Sequence, residues 1–599
     1  MQFRIPIYYS EIFGINLGEE GLGEILAQFE KTSTFQTLAA INSLLSFYDR
    51  DKNTAGDVQD FLFANFTDEG LYEMVKKKFP HEQMANRPIF HRWQLLALMK
   101  RILCKEVEGL LNPDVDAAAR YKLGEACLIQ NDVLNPEELN RRLEEATNKD
   151  LASTLSELFL QLIVSFELFN PAEDMYAIAR SDEFCNLLER RSLEYKFSNG
   201  ESVPERFAKL TGLSLRHYLW MIFCVCVVYK YESKSLPKLL EEPAKRNIRK
   251  STIFSNTNLS QEEVNAFFRL LATDITTFGE LMRSSSGKPK INQDYEYTAF
   301  RTYPLYYLDD KQDVLSVIDF TFLTEKLSAG VFHTISNSIR ENENKDWHTF
   351  SGFWGKIFDE YVNDRLREAF PLWSQRLYTN PFFDRMNEEA FDSVIDYGDS
   401  LIVMEHKGTY LAIAEKYSGQ SDLFLKGIEK NIGKGIKQLA EKLAIVFADS
   451  TPDTFSQRDA SGATILFGFS NKDSGRVEKI YPIIIVQDFA FQIGLANYQL
   501  RLEFEREIQK HKYRRGVSIM PLSLLVVEDI EKVIPYLNEI SLTAILDEYV
   551  SASYDPIYTF QNVLYRVLRE RNIQQRPNEW VLNRRREINQ LIKEQFKLS

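Results

Sequence analysis

Phe391-Asp392-Ser393-Val394-Ile395-Asp396-Tyr397-Gly398-Asp399-Ser400-Leu401-Ile402-Val403-Met404-Glu405-His406-Lys407-Gly408 holds two apolar runs, Phe391 to Ile395 and Leu401 to Met404, around the tetrad Asp396-Tyr397-Gly398-Asp399. Gly and acidic residues between two such runs suit a tight turn, so the stretch reads as a β-hairpin with Asp396 and Asp399 as turn residues. Side chains alternate across a strand, which places Val403, Glu405 and Lys407 on one face and Ile402, Met404 and His406 on the other. Folding the hairpin back brings Asp392 towards Glu405. Two carboxylates and an ammonium so placed form a hard oxygen site for a divalent cation with a positive group beside it.

Asp392, Glu405 and Lys407, with a glycine-bearing hairpin between them, resemble the D…ExK core of the PD-(D/E)XK nuclease superfamily, the restriction-endonuclease-like fold. The flanks agree: Phe353 to Val362 reads as an amphipathic helix carrying Glu360, similar to the family's first helix with its accessory acid. Ile432 to Ala440 is similar to the helix that follows the active strand, where some members carry a Gln, here Gln438. The likeness covers roughly residues 345 to 490, and His406 departs from it, an apolar residue being more usual there. The resemblance implies a Mg²⁺ (or Mn²⁺) ion held by Asp392 and Glu405 with help from Glu360. It further implies Lys407 as the group that orients the attacking water, and Gln438 as a residue that positions substrate or holds Lys407. Hydrolysis of nucleic acid, DNA favoured over RNA, follows from the same likeness, as does a place in bacterial defence against phage or plasmid DNA. A nucleic-acid-binding or scaffold subunit with a degenerate site is the alternative.

At 599 residues the chain exceeds a single core and implies three or four domains, and 44% hydrophobic with 26% charged residues marks it as globular. A formal net charge of −14 sits uneasily with phosphate binding unless the basic residues cluster. They do. Lys426, Lys430, Lys434, Lys437 and Lys442 line the helix after the active strand, Lys510-His511-Lys512-Tyr513-Arg514-Arg515 is a denser patch with an aromatic inside it, and Arg584-Arg585-Arg586 is a third. Lys434, Lys437, Lys512, Arg514 and Arg515 are the expected nucleic-acid contacts.

Cys104, Cys127, Cys185, Cys224 and Cys226 lack paired CxxC spacing, so they read as buried thiols in a reducing compartment rather than as zinc ligands or disulfides. The N-terminus has no basic start followed by an apolar segment, and the run from Leu219 to Tyr229 is too short for a membrane span. A soluble, cytoplasmic protein is expected. Neither Gly287-Lys288-Pro289 nor Gly427 to Gly435 meets the spacing of an ATP phosphate loop.

The expected fold class is α+β multidomain. Residues 1–290 read as mostly helical, from stripes such as Phe35, Leu38, Ile41, Leu45 and Trp93, Leu96, Met99, Leu103 and from the apolar run Leu151 to Phe169. This half is the expected site of a protein partner or of homo-oligomerisation. Residues 291–344 read as a β-hairpin (Tyr303 to Leu308, Val314 to Phe320) and linking helix, 345–528 as the nuclease-like domain, and 529–599 as a helical lobe. Ala463 to Phe469, Ile480 to Val486 and Leu522 to Val527 are the expected inner strands of a mixed sheet covered by helices on both faces.

Overall fold

The computed structural model of the chain describes residues 6–48, 52–79, 87–134, 174–232, 247–286, 296–340, 344–417, 421–449, 452–459, 462–492, 494–552 and 559–596. The run Leu151 to Phe169, expected to be helical, lies outside them. The chain is α+β, with a mostly helical first half and, among the described residues, three sheets.

The elements that frame the hairpin are helices α1 (Asp174–Arg190), α2 (Phe320–Arg340) and α3 (Asn344–Ala369), strands β1 (Leu377–Thr379), β2 (Ser393–Asp396) and β3 (Ser400–Lys407), helix α4 (Lys434–Val446), strand β4 (Lys479–Val486), helix α5 (Gly494–Ile508), strand β5 (Ser523–Val526), and helices α6 (Val527–Val533) and α7 (Glu579–Phe596). The strands form one mixed sheet in chain order. β1, β2 and β3 run as an antiparallel meander, β4 lies parallel to β3, and β5 lies parallel to β4 with Ser518–Ile519 beside it on the same edge.

Alternation along the strands builds two cores. Val394, Leu401, Val403, Ile480, Ile484, Leu524 and Val526 point to the face covered by α4, whose Ile436, Leu439, Ala440 and Leu443 are buried. Ile395, Ile402, Met404, Tyr481, Ile483, Ile485 and Leu525 point to the other face, against Trp354, Phe358, Tyr361 and Val362 of α3 and Ile530 of α6. A one-residue slip of β3 would exchange its two sets, so register here is strongly specified.

Pro482, which looks like a boundary in the sequence, stands inside β4 opposite Val403. The Glu478 and Ile480 carbonyls accept from Ser518 and Met520 on the β5 side, so the N–H that Pro482 lacks falls on that side too. There the edge pairing breaks between Ile519 and Ser523, and no ladder bond is lost.

Ala463 to Phe469 is not an inner strand of this sheet. Its strand, Ile465–Phe469, pairs with Phe455–Arg458, which pairs on its other side with Phe382–Phe383 in a separate three-stranded sheet. Ile465 and Leu466 are exposed, and Phe455 stacks on Phe469 at 4.7 Å between ring centroids. The hairpin Leu305–Tyr307 and Val314–Val317 forms as expected, and Ile248–Arg249 and Ala272–Thr273 widen it to four strands. Chain from before residue 290 thus enters a sheet with chain from after it.

The two cores also cross the expected divisions at 290, 344 and 528. One joins Phe35 and Leu96 to Val403 and Ile436; the other joins Trp220 to Met404 and Leu564. Buried ion pairs tie the same parts: Arg92 to Asp319 at 2.5 Å, and Arg180 of α1 to Glu531 and Glu528 of α6 at 3.0 and 3.3 Å. Removing one partner of such a pair leaves an unpaired buried charge, at a cost of about 3–5 kcal/mol.

The run Leu219 to Tyr229 lies in helix Leu215–Glu232 and is mostly buried. Among the described residues no single helix is long and apolar enough to cross a membrane. All five cysteines are free, Cys104 partly exposed and the other four buried.

Candidate active site

The hairpin forms with Val394 opposite Val403 and Ile395 opposite Ile402. Its turn is closed by Gly398 at φ +96°, a conformation few residues other than Gly adopt, and the Asp396 carboxylate accepts from the Gly398 N–H. Asp396 also holds Arg476 at 2.7 Å, so it is a turn and ion-pair residue. Extending the register by one pair beyond Ser393 and Met404 sets Asp392 across from Glu405.

Asp392 leaves the ladder with its carboxylate turned onto β3. Its backbone N–H donates to the Met404 carbonyl, and its Oδ2 accepts the His406 N–H. Burial, then the charge of Glu405, push its carboxyl up from 3.8 to about 7, with the charges of His406 and Lys407 opposing. Glu405 behaves in the opposite way. It is buried, and burial alone would raise it, but the ammonium groups of Lys407 and Lys442 hold it below its ordinary value. Lys407 Nζ donates to Glu405 Oε1 at 2.7 Å, and Lys442 Nζ lies 3.5 Å from Oε2. Burial works against the Lys407 charge, while Glu405 and Asp392 raise its pKa above the usual lysine range.

Helix α4 is shaped to accept this group. A Cβ on Gly435 would come within 2.6 Å of Lys407 Cε and 3.7 Å of Glu405 Cγ. Gly435, Gln438 and Lys442 fall on one stripe of the helix, at i, i+3 and i+7. Gln438 thus lies on the stripe of α4 that meets Lys407 and Glu405, half-buried and, among the described residues, with no side-chain hydrogen bond. A π-helical turn, Glu429–Gly433, runs directly into α4, a local widening that recurs at functional sites.

On the opposite face of β3, His406 is buried with both ring nitrogens engaged. Nδ1 lies 2.6 Å from Asp359 Oδ1, and Nε2 lies 3.0 Å from Ser393 Oγ, which in turn donates to Asn363. Burial would lower the His406 pKa, but the Asp359 hydrogen bond and the nearby carboxylates raise it. Asp359 Oδ2 accepts from Asn380, whose amide also reaches Glu389. At the end of β3, Gly408 lets α3 approach, since a Cβ there would stand 2.3 Å from Phe358 Cβ.

The accessory acid is the main correction. Glu360 does not face this group; it is bound by Arg190, the last residue of α1, and by Arg191 just beyond it, each at 2.8 Å. Asp359, its neighbour, is the α3 carboxylate whose charge reaches Asp392. Successive helical residues are about 100° apart, so the two acids flank the buried stripe of α3 on opposite sides. The apolar pattern alone does not choose between them.

Among the described residues no group of three or more His, Cys, Asp and Glu side chains is arranged to hold a metal ion. Asp392 and Glu405 nonetheless suit Mg²⁺, which is commonly held by one or two carboxylates, with waters and substrate phosphate completing the shell. Of these two acids, only Asp392 carries a raised carboxyl.

The expected nucleic-acid contacts divide. Lys434, Lys437, Lys512 and Arg515 are exposed. Lys437 lines a groove of about 780 Å³ between α4 and α5 in which Arg506 and Lys510 alternate with Glu429, Glu503 and Glu507. Arg514 is not available: its guanidinium donates to the carbonyls of Ser474, Gly475 and Val477, closing the end of a short helix. Arg584 is likewise held by Asp182 and Glu183 of α1. Lys442, part of the same lysine run as Lys434, belongs with the carboxylates.

Compared with known proteins, the chain matches no protein-family model, no curated protein and no solved structure.

Proposed function

We propose that this chain is a divalent-metal-dependent nuclease with a restriction-endonuclease-like core, hydrolysing phosphodiester bonds of nucleic acid, DNA favoured. The observation that carries the reading is the convergence of Asp392, Glu405 and Lys407 at the end of two paired strands, against a glycine of the following helix. Helices before and after the hairpin cover opposite faces of the sheet, in the order the resemblance implies.

Asp392 and Glu405 would hold the ion, which supplies an acidified water and charge on the phosphate oxygens. Lys407, kept protonated by the two acids, orients the attacking oxygen or offsets charge developing on the phosphate. Lys442 balances Glu405 until substrate arrives. Asp359 and His406 fix the strand from behind. Defence against phage or plasmid DNA is the role proposed for this chemistry, with the helical half as the surface for a partner or a second copy.

A second reading, a nucleic-acid-binding subunit with a lapsed site, is favoured by one observation: both Glu405 oxygens already face lysines. Cleavage of supercoiled plasmid with Mg²⁺ or Mn²⁺ separates the two. The nuclease reading expects nicking or linearisation by the wild type and loss in Asp392→Ala and Lys407→Ala. Equal behaviour of all three proteins, with DNA binding retained, would leave the second reading.

A further inference from the structure

Apart from the paired carboxylates, a partly enclosed cavity with about 70 Å³ of free space opens where α1 and α2 meet the carboxyl ends of β3 and β4. A water needs roughly 10–15 Å³ by that measure, so the space takes about five waters or a small headgroup. Its lining is charged. Arg301 and Lys416 stand against Glu325 and Asp488, the lining Arg180 is already paired with Glu528 and Glu531, and one face of α2 contributes hydroxyls.

The acids are already committed. Asp488 accepts from the backbone N–H groups of Leu411 and Ala490 and from Lys416 at 2.8 Å. Glu325 is shared between Arg301 at 2.7 Å and Lys416 at 3.8 Å. Thr321 adds a donor with nothing to donate to: it is only 9% exposed, it lines the cavity, and its hydroxyl has no hydrogen-bond partner. A buried hydroxyl left unpaired costs about 1–3 kcal/mol, so such a group is normally satisfied by a ligand or water. With the acids and cations of the lining paired to one another, Thr321 leaves one buried donor in excess beside two positive groups, which selects an acceptor-rich guest.

We propose that this cavity binds a small oxyanion, the phosphate or carboxylate group of a small molecule. The anion accepts from Thr321 Oγ1 and joins Glu325 as counter-ion to Arg301 and Lys416. Tyr410, three residues beyond Lys407, lines the same cavity and donates to the Ser328 carbonyl of α2.

The test is thermal melting of the full chain in EDTA, which keeps divalent metal from the paired carboxylates. Inorganic phosphate and acetate are titrated separately, each against chloride at matched ionic strength. Wild type is expected to show a saturable rise in Tm. A rise with phosphate alone assigns a phosphate guest, with acetate alone a carboxylate guest, and with both the shared oxyanion chemistry. Thr321→Val removes only the unpartnered hydroxyl and keeps the side-chain shape, so it should fold and weaken the anion by about tenfold. Arg301→Gln should weaken it further. Phosphate stabilises many proteins through exclusion from their surface. An equal rise in wild type and Thr321→Val, or no rise with either anion, would overturn the proposal.

Discussion

Replacing Asp392 by Asn exchanges one carboxylate oxygen for an amide, keeps an acceptor for the His406 N–H, and removes the charge that faces Glu405. The carboxyl's folded value of about 7 stands above its ordinary 3.8. Between those values the native chain holds a proton that the unfolded chain has released, so without metal stability falls as pH rises through that window. Each unit of difference corresponds to about 1.36 kcal/mol, and sharing of the interaction with Glu405 trims the total, leaving roughly 2–4 kcal/mol. Asp392→Asn should therefore stabilise the metal-free protein by that amount at about pH 8, by less near pH 5, and by a constant increment above pH 7. Urea unfolding across a pH series in EDTA measures it. A variant that is less stable than wild type at pH 8, or a gain that does not change between pH 4 and 7, would refute the placement of this carboxylate beside Glu405.

Gly435→Ala pushes a methyl onto the flexible end of Lys407, so folding should change by under about 1 kcal/mol while plasmid cleavage falls by about 100-fold. Glu360→Gln should leave cleavage unchanged, because it disturbs only ion pairs with Arg190 and Arg191, whereas Asp359→Asn should lower it by loosening His406; steady-state cleavage rates of the two variants decide. Arg514→Ala should cost roughly 1–3 kcal/mol by urea unfolding without altering the salt dependence of DNA binding, while Lys512→Ala and Arg515→Ala should each reduce that slope by about one.

The hairpin and the convergence of its acid pair were legible because a period of two fixes which side chains share a face once one strand is recognised. Asp392, Glu405 and Lys407 follow from that period and from the Gly398 turn. The α3 acid was not legible, since Asp359 and Glu360 flank the buried stripe symmetrically and only the arrival of α1, with Arg190 and Arg191, separates them. Arg514 reads as a basic patch because sequence shows charge but not which carbonyls lie within reach of a guanidinium. Lys442 reads as part of a lysine run, and its placement beside Glu405 depends on how α4 is rotated over β3. Gly435 carried a signal: a small residue at i−3 from Gln438 and i−7 from Lys442 marks the face on which α4 meets the strand. Stretches far apart in the chain contribute to the cores on both sides of one sheet, which no local pattern encodes.

Binding of Mn²⁺, followed by electron paramagnetic resonance or calorimetry at about pH 8, tests the central claim most directly. One ion per chain should bind to wild type, weaken on acidification through pH 7 as Asp392 takes up its proton, and be lost in Asp392→Ala. Binding that is absent in wild type, or equal in the variant, would contradict a metal held between Asp392 and Glu405.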